Sequence, residues 1–148
     1  MVKLLRQWYR FLDLPVQCSS WYRARLKEEL IERHAARTTL QRLSETSDVF
    51  YILGRAQCDG YPLRRPPAAN CLKHLPIYAY MICKYTSRWV FYRTAAFSCG
   101  SGSWRQVREV VNPHRDFKIR EVASRHAVDL SKFERVCHAL RQVWPLLP

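Results

Sequence analysis

The sequence predicts an all-α protein, a single domain built as a bundle of five to seven helices. Apolar residues recur at helical spacing along most of its 148 residues, and no segment alternates apolar and polar residues over a useful strand length. Only 4 glycines occur beside 5 tryptophans, 8 tyrosines and 6 phenylalanines, which is not typical of a turn-rich all-β protein. Hydrophobic residues make up 48% of the chain, as expected for a folded domain rather than a disordered one.

Residues 1–58 are predicted to form three N-terminal helices of this domain. The first spans residues 2–12, because Pro15 disfavours a helical conformation at the residue before it. The third begins in the polar segment 44–48, whose side chains suit a helix cap, and ends before residue 59.

The second predicted helix begins at a cap formed by Ser19 or Ser20 and reaches about Arg37. Apolar residues that recur every four positions predict one buried stripe along it, formed by Tyr22, Leu26, Leu30 and Ile31. The charged residues on its other faces predict a solvated surface.

Residues 59–74 are predicted to be a loop, since they contain three prolines and no periodic pattern. The remaining part of the domain, 75–148, begins with a central helix from about Pro76 to residue 98, the most apolar segment of the chain. Lysine and arginine interrupt this helix, so no uncharged run approaches the 18 residues of a membrane span, and no transmembrane segment is expected.

A capping box at Ser103 and Gln106 predicts a short fifth helix that reaches Val111. The stretch 116–144 is then expected to form two more helices around a tight turn at residues 127–129.

This C-terminal helical pair resembles the DNA-binding helix–turn–helix of bacterial repressors over about residues 119–136. Ala123 corresponds to the small residue where the two helices cross, and Val128 to the apolar residue after the turn. The resemblance implies that the second helix presents basic side chains to nucleic acid, namely Lys132, Arg135, His138 and Arg141. An ordinary pair of antiparallel helices requires the same periodicity and is the alternative.

The net charge is +13, from 25 Lys and Arg against 12 Asp and Glu. The excess is spread along the chain, and 19 of the 25 cations are arginine, which binds carboxylate or phosphate with two parallel hydrogen bonds. Such a charge implies an acidic partner: a protein, a nucleic acid or an anionic membrane. The six cysteines form no Cys-x-x-Cys pair, which favours small buried hydrophobic residues in a reducing, intracellular compartment.

No catalytic residues and no metal ligands are predicted. The sequence contains no Gly-x-Ser-x-Gly segment, no glycine-rich phosphate loop and no His-Glu-x-x-His pair. The adjacent Glu28 and Glu29 point about 100° apart on a helix and cannot cooperate as an acid–base pair. The chain is therefore interpreted as a non-enzyme, with an accessory protein or unrecognised enzyme of a fungal metabolic pathway as the third alternative.

An aromatic-Tyr-Arg triplet occurs three times, and the copy Trp21-Tyr22-Arg23 opens the long basic second helix, with Phe50 further along. Over residues 19–58 this arrangement resembles the Leu-Tyr-Arg (LYR) family of small basic mitochondrial assembly factors, with Trp21 in place of leucine. The chain also resembles small basic proteins of filamentous fungi.

The LYR resemblance implies an acidic partner, acyl carrier protein, and a mitochondrial location. The acyl-phosphopantetheine of that carrier would be the one cofactor involved. The residues expected to bind the partner are Tyr22, Arg23, Arg25, Lys27, Arg33 and Phe50. The sequence thus predicts first a basic adaptor of this type, and second a nucleic-acid or ribosome-associated protein that uses the C-terminal helical pair.

Overall fold

The computed structural model describes residues 2–69 and 71–144. Over these residues the chain forms six α-helices, one 3-10 turn and no β-strand, which confirms the predicted all-α class and helix number. The helices are α1 (Val2–Leu12), α2 (Ser19–Ala35), α3 (Thr39–Cys58), α4 (Leu75–Ser98), α5 (Asp116–Arg125) and α6 (Leu130–Val143).

The chain divides into two compact units, Met1–Ile82 and Cys83–Pro148, so the boundary falls inside α4. The sequence placed its division earlier, at the loop 59–74, because prolines mark loops more visibly than a boundary within a continuous helix. The assignment of 1–148 to one domain stays a prediction.

In the first unit, α3 is the helix on which both α1 and α2 pack. Residues 47–53 of α3 are buried without exception, so the helix presents no solvent-exposed face along two turns. Gly54 lets α1 approach closely, since a Cβ atom there would lie 2.5 Å from the Tyr9 hydroxyl oxygen. The same hydroxyl donates a hydrogen bond of 3.0 Å to the Tyr51 carbonyl, which fixes α1 on α3.

The predicted start of α3 was wrong by more than a turn. The helix begins at a capping box in which the Gln41 amide donates to the Thr38 hydroxyl oxygen and the Gln41 side chain accepts from the Thr38 amide, both over 3.1 Å. The polar segment 44–48 lies inside the helix, and its Ser47 and Asp48 are buried.

In the second unit, α5 and α6 pack against each other beside the C-terminal half of α4. Their shared core combines aromatic and small side chains, namely Phe91, Tyr92, Ala95, Ala96, Val107, Ile119, Val122, Ala123, Phe133 and Cys137. The predicted fifth helix up to Val111 is wrong. Ser103 makes no cap hydrogen bond, and only a single 3-10 turn forms, Trp104–Gln106.

No helix among residues 2–69 and 71–144 is long and apolar enough to cross a membrane. All six cysteines are free thiols. Cys137 is buried, but Cys18, Cys58 and Cys83 are exposed, so the prediction of buried cysteines is wrong for these three. Burial raises the pKa of Cys137 to about 12.

Candidate functional site

Tyr22 anchors α2 in the first unit. Its side chain is fully buried, and its hydroxyl donates a hydrogen bond to the carboxylate of Asp59, the residue that caps the C-terminus of α3. Burial and the hydrogen bond to this carboxylate raise the pKa of Tyr22 to about 12. Trp21, the first residue of the Trp21-Tyr22-Arg23 triplet, packs edge-on against Tyr22, with 5.1 Å between the two ring centroids.

Arg55 holds Asp59 in place. Its Nε lies 3.6 Å from the Asp59 carboxylate, and its Nη1 donates to the Tyr51 hydroxyl over 3.0 Å. The remaining Nη2 donates to the Pro15 carbonyl in the segment between α1 and α2. The C-terminal end of α3 therefore fixes the start of α2 through side chains that are themselves hydrogen-bonded.

Glu29 is the buried acid of α2, with 1% of its surface exposed. One oxygen pairs with the Arg25 guanidinium, and the other has no hydrogen-bond partner. Burial first, and then the negative charge of Asp48, raise the pKa of Glu29 to about 7, although Arg25 acts in the opposite direction. Glu32 and Glu45 each bring a carboxylate oxygen to within 4.8 Å of this group.

A groove of about 500 Å³ lies along the outer face of α2. The groove is lined by apolar side chains, two cations and a histidine, namely Arg23, Leu26, Lys27, Leu30, Ile31, His34, Pro62 and Leu63. Leu30 and Ile31 are 37% and 59% exposed, so the prediction that they belong to a buried stripe is wrong. The loop residues Pro62 and Leu63 form the opposite wall, and no periodic signal in the sequence could have placed them there.

The structure brings only part of the predicted partner-binding set together. Arg23 and Lys27 line the groove, and neither makes an ion pair with another described residue. Arg25 is bonded to Glu28 and Glu29. Arg33 is exposed outside the groove, and Phe50 is buried against Tyr78 with ring centroids 5.1 Å apart. Phe50 is therefore a core residue of the first unit and contributes nothing to the groove.

The second candidate site is the α5–α6 pair. Ala127 adopts a φ of 49° in the turn between the helices, a conformation that usually favours glycine. Ala123 and Phe133 are buried, and Val128 packs against the same core, as the helix–turn–helix resemblance implies. Asp129 caps α6, since its carboxylate accepts the Lys132 amide over 2.7 Å.

The four basic residues predicted on α6 have acceptors within the second unit. Lys132 donates to the Cys99 carbonyl over 2.8 Å, and Arg135 makes a long contact with the Ser131 carbonyl of its own helix. His138 and Arg141 both bond to Asp116, at 3.3 Å and 2.8 Å. The hydrogen bond from Arg141 lowers the pKa of Asp116 below its ordinary value.

Comparison with protein-family models, with curated proteins and with solved structures found no match to this chain.

Proposed function

We propose that this chain is a non-catalytic adaptor that binds an acidic protein in the groove of α2. The observation that carries the proposal is the placement of unneutralised cations beside exposed apolar side chains. Arg23 and Lys27 stand next to Leu30 and Ile31 along one concave face, within a groove whose volume lies in the range of binding sites.

The chemistry of this face specifies the partner. Two cations without intramolecular carboxylates attract a surface rich in Asp or Glu, and they gain most where binding excludes water around them. The apolar floor adds burial of aliphatic surface, which raises affinity beyond what charge alone supplies. A partner helix with acidic residues beside one or two apolar residues meets both requirements.

Among partners of this kind, an acyl carrier protein is the one that the LYR resemblance implies. The two residues that match the Leu-Tyr-Arg triplet lie in different environments. Tyr22 is buried and anchors α2, and Arg23 lines the groove. A docking motif needs this division, because the anchor fixes the helix while the neighbouring cation contacts the partner. A mitochondrial location, and an acyl-phosphopantetheine carried by the partner, belong to the same proposal.

The test is a purification of the tagged protein from cells, followed by intact-mass measurement of the proteins that accompany it. We expect an acidic carrier with an acylated phosphopantetheine. The double variant Arg23→Glu, Lys27→Glu should lower affinity for the purified carrier about a hundredfold, because each attraction becomes a repulsion between like charges.

The matched control is Lys132→Glu with Arg135→Glu on α6, which changes the net charge by the same amount. Equal loss of binding in both variants would show that the overall charge, and not the α2 groove, attracts the carrier. Absence of any acylated carrier in the purified material would contradict the carrier assignment.

Nucleic-acid binding by the second unit is the alternative function. The left-handed turn at Ala127 and the exposure of Lys132, Arg135 and His138 favour it. Binding through phosphates requires affinity for duplex DNA or RNA to fall steeply between low and moderate salt, since counterions are released. A flat salt dependence would eliminate this alternative.

A further inference from the structure

A cavity of about 620 Å³ lies in the first unit, where α1, the C-terminal end of α3 and the start of α4 meet the proline-rich segment 65–69, which we call the loop wall. Its volume lies in the range of sites that hold a small organic molecule. The residues that line it differ from those that line the α2 groove. The cavity is therefore a separate candidate site, and its function does not depend on the proposed adaptor role.

Hydrogen bonds hold the loop wall against the start of α4. The Tyr78 hydroxyl donates to the Pro67 carbonyl over 2.7 Å, and Nδ1 of His74 lies 3.0 Å from the Ala68 carbonyl oxygen. The two prolines of the segment also restrict its backbone, because each ring fixes one φ angle. The cavity is thus formed before any ligand enters it.

The interior of the cavity offers few hydrogen-bond donors. Leu5, Pro66 and Ala69 contribute apolar surface. Tyr9 and Tyr78 are buried, and each already donates its hydroxyl hydrogen to a backbone carbonyl. Burial raises the pKa of both tyrosines, so their hydroxyls stay protonated. A ligand that enters this interior must therefore present an apolar body to it, since a polar body would lose its hydrogen bonds to water.

Two cations of the cavity lack a neutralising carboxylate. Arg6 of α1 and Arg65 of the loop wall are exposed, so they lie where the cavity opens to solvent, and neither forms an ion pair with another residue that the structure describes. No Asp or Glu is among the described residues that line the cavity. Burial raises the pKa of the Cys58 thiol, although Arg6 acts in the opposite direction, so this side chain supplies no negative charge at neutral pH. The opening of the cavity therefore attracts an anion.

The walls of the cavity favour a ring over a flexible chain. Prolines and tyrosines are rigid side chains that cannot adapt to many ligand conformations. A flexible chain loses rotational freedom when such walls hold it, whereas a fused ring has none to lose. Guanidinium groups such as those of Arg6 and Arg65 also stack on aromatic faces.

We propose that this cavity binds a small aromatic anion, with the ring in the apolar interior and its carboxylate or phosphate group on Arg6 and Arg65. Arginine binds both kinds of oxyanion through two parallel hydrogen bonds. An aromatic cation would be repelled by the two guanidinium groups. A sugar would exchange its hydrogen bonds to water for contact with apolar walls.

The test is isothermal titration of the full chain with four compounds that share a naphthalene ring. They are 2-naphthoate, 2-naphthyl phosphate, the neutral 2-naphthalenemethanol and the cationic 2-naphthylmethylamine. We expect each anion to bind at least about tenfold more tightly than the alcohol, since hydrogen bonds between charged groups add to the affinity, and the amine to bind most weakly. The carboxylate and the phosphate show which headgroup the arginines prefer. Undecanoate, which has as many carbon atoms as 2-naphthoate, should bind less tightly because its chain must be ordered.

The double variant Arg6→Gln, Arg65→Gln should lower the affinity for 2-naphthoate about tenfold, to that of the alcohol. Its affinity for the alcohol should stay within about threefold, because only the charged headgroup loses its partners. The matched control is Arg23→Gln with Lys27→Gln, which removes two cations from the α2 groove and should leave the affinity for 2-naphthoate within about threefold. All four positions are exposed, and circular dichroism checks that both variants fold.

The thiol of Cys58 reports where the probe binds, because it lines the cavity. Iodoacetamide alkylates the cysteines, and peptide mass spectrometry follows each one separately. At about ten times its Kd, 2-naphthoate should slow the alkylation of Cys58 about tenfold, since only the unoccupied cavity admits the reagent. Cys18 and Cys83 are exposed outside the cavity and should react at unchanged rates.

Equal affinity for 2-naphthoate and the neutral alcohol would overturn the proposal. Unchanged binding by the Arg6 and Arg65 variant would also overturn it, as would an equal loss in the α2 control or tighter binding of undecanoate than of 2-naphthoate. Binding that leaves Cys58 unprotected would exclude the cavity as the site. None of these outcomes bears on the α2 groove, which is tested with a purified carrier protein.

Discussion

Helices α2 and α6 are both cationic and both pack on a neighbouring helix, yet they treat their charges in opposite ways. α2 buries an acid, Glu29, and leaves Arg23 and Lys27 without a described ion pair beside an apolar groove. The α5–α6 pair buries neither of two acids, since the exposed Asp116 bonds to two α6 side chains and the partly exposed Glu134 bonds to Arg120 over 2.6 Å.

This difference shows that a count of basic residues is a poor guide to a docking surface. The cations of α6 are largely engaged by acceptors of their own unit, so binding a partner would first require those contacts to break. On α2 the buried acid Glu29 pairs with Arg25 and not with the cations of the groove, and no carboxylate lines the groove, so it stays positive. Cations on a surface are available to bind a partner when no carboxylate of their own unit pairs with them.

The largest expected effect is on the free energy of unfolding, which the buried carboxyl group of Glu29 lowers at neutral pH. A carboxyl whose pKa is about 7 when folded and near 4.5 when unfolded binds its proton more tightly in the folded chain. The folded state is therefore favoured below pH 4.5, and this contribution is lost as pH rises to 7, by about 3 kcal/mol in all. Glu29→Gln should become more stable than the unchanged chain by up to that amount between pH 5 and pH 8.

Urea unfolding at several pH values measures this difference, and Glu28→Gln is the matched control on the exposed neighbouring position. Parallel stability curves for the unchanged chain and Glu29→Gln would mean that Glu29 ionises like an ordinary surface acid. In that case α2 would not differ from α6 by carrying a buried acid that lowers stability.

The next effect concerns the apolar floor of the groove. Leu30→Ser with Ile31→Ser should lower affinity for an acidic carrier about tenfold, because aliphatic surface is no longer buried on binding. Leu130→Ser with Val143→Ser makes the same chemical change at exposed α6 positions and should leave affinity unchanged. Isothermal titration measures both, and equal losses would show that the two helices are equivalent.

A smaller effect on the free energy of unfolding is expected from Tyr22, the residue that anchors α2. Tyr22→Phe removes the hydroxyl that bonds to Asp59 and should lower the free energy of unfolding by about 1.5 kcal/mol, since a charged acceptor loses one donor. Tyr61→Phe removes the hydroxyl of a partly exposed tyrosine nearby and should change little. Urea unfolding compares the two variants, and a neutral Tyr22→Phe would remove Tyr22 as the anchor of the groove.

The smallest effect is expected at the exposed Asp116. Its lowered pKa means that its contribution to folding is present above its ordinary pKa and is lost as pH falls through the lower folded value. Asp116→Asn should lack this acid-side dependence, and the small difference from the unchanged chain at neutral pH should vanish in high salt because screening removes it. A difference that persists in high salt would show that α6 is held by more than surface charge.

The sequence predicted those parts of the fold that depend on neighbours along the chain. The C-terminal end of α1 followed from Pro15, and the turn between α5 and α6 followed from helical spacing. The start of α3 was missed because the capping box uses Thr38 and Gln41, a pair less conspicuous than the polar segment 44–48.

The candidate site was less accessible from sequence. Arg23 and Lys27 were named, but the groove exists only because Pro62 and Leu63 return to α2 from beyond α3. Leu30 and Ile31 have the spacing of buried residues, and only packing shows that they face outward. Phe50 lies in the core of the first unit for the same reason, since its pattern does not distinguish a core ring from a binding one.

Gly54 controls how closely α1 can approach α3. A single methyl group at this position would meet the Tyr9 hydroxyl oxygen and ring, so the Tyr9 side chain or the helix that carries it would have to shift. Either shift would disturb the hydrogen bond from Tyr9 to the Tyr51 carbonyl. The seat of the first helix is thus set from inside the bundle, by a position where only a hydrogen atom fits.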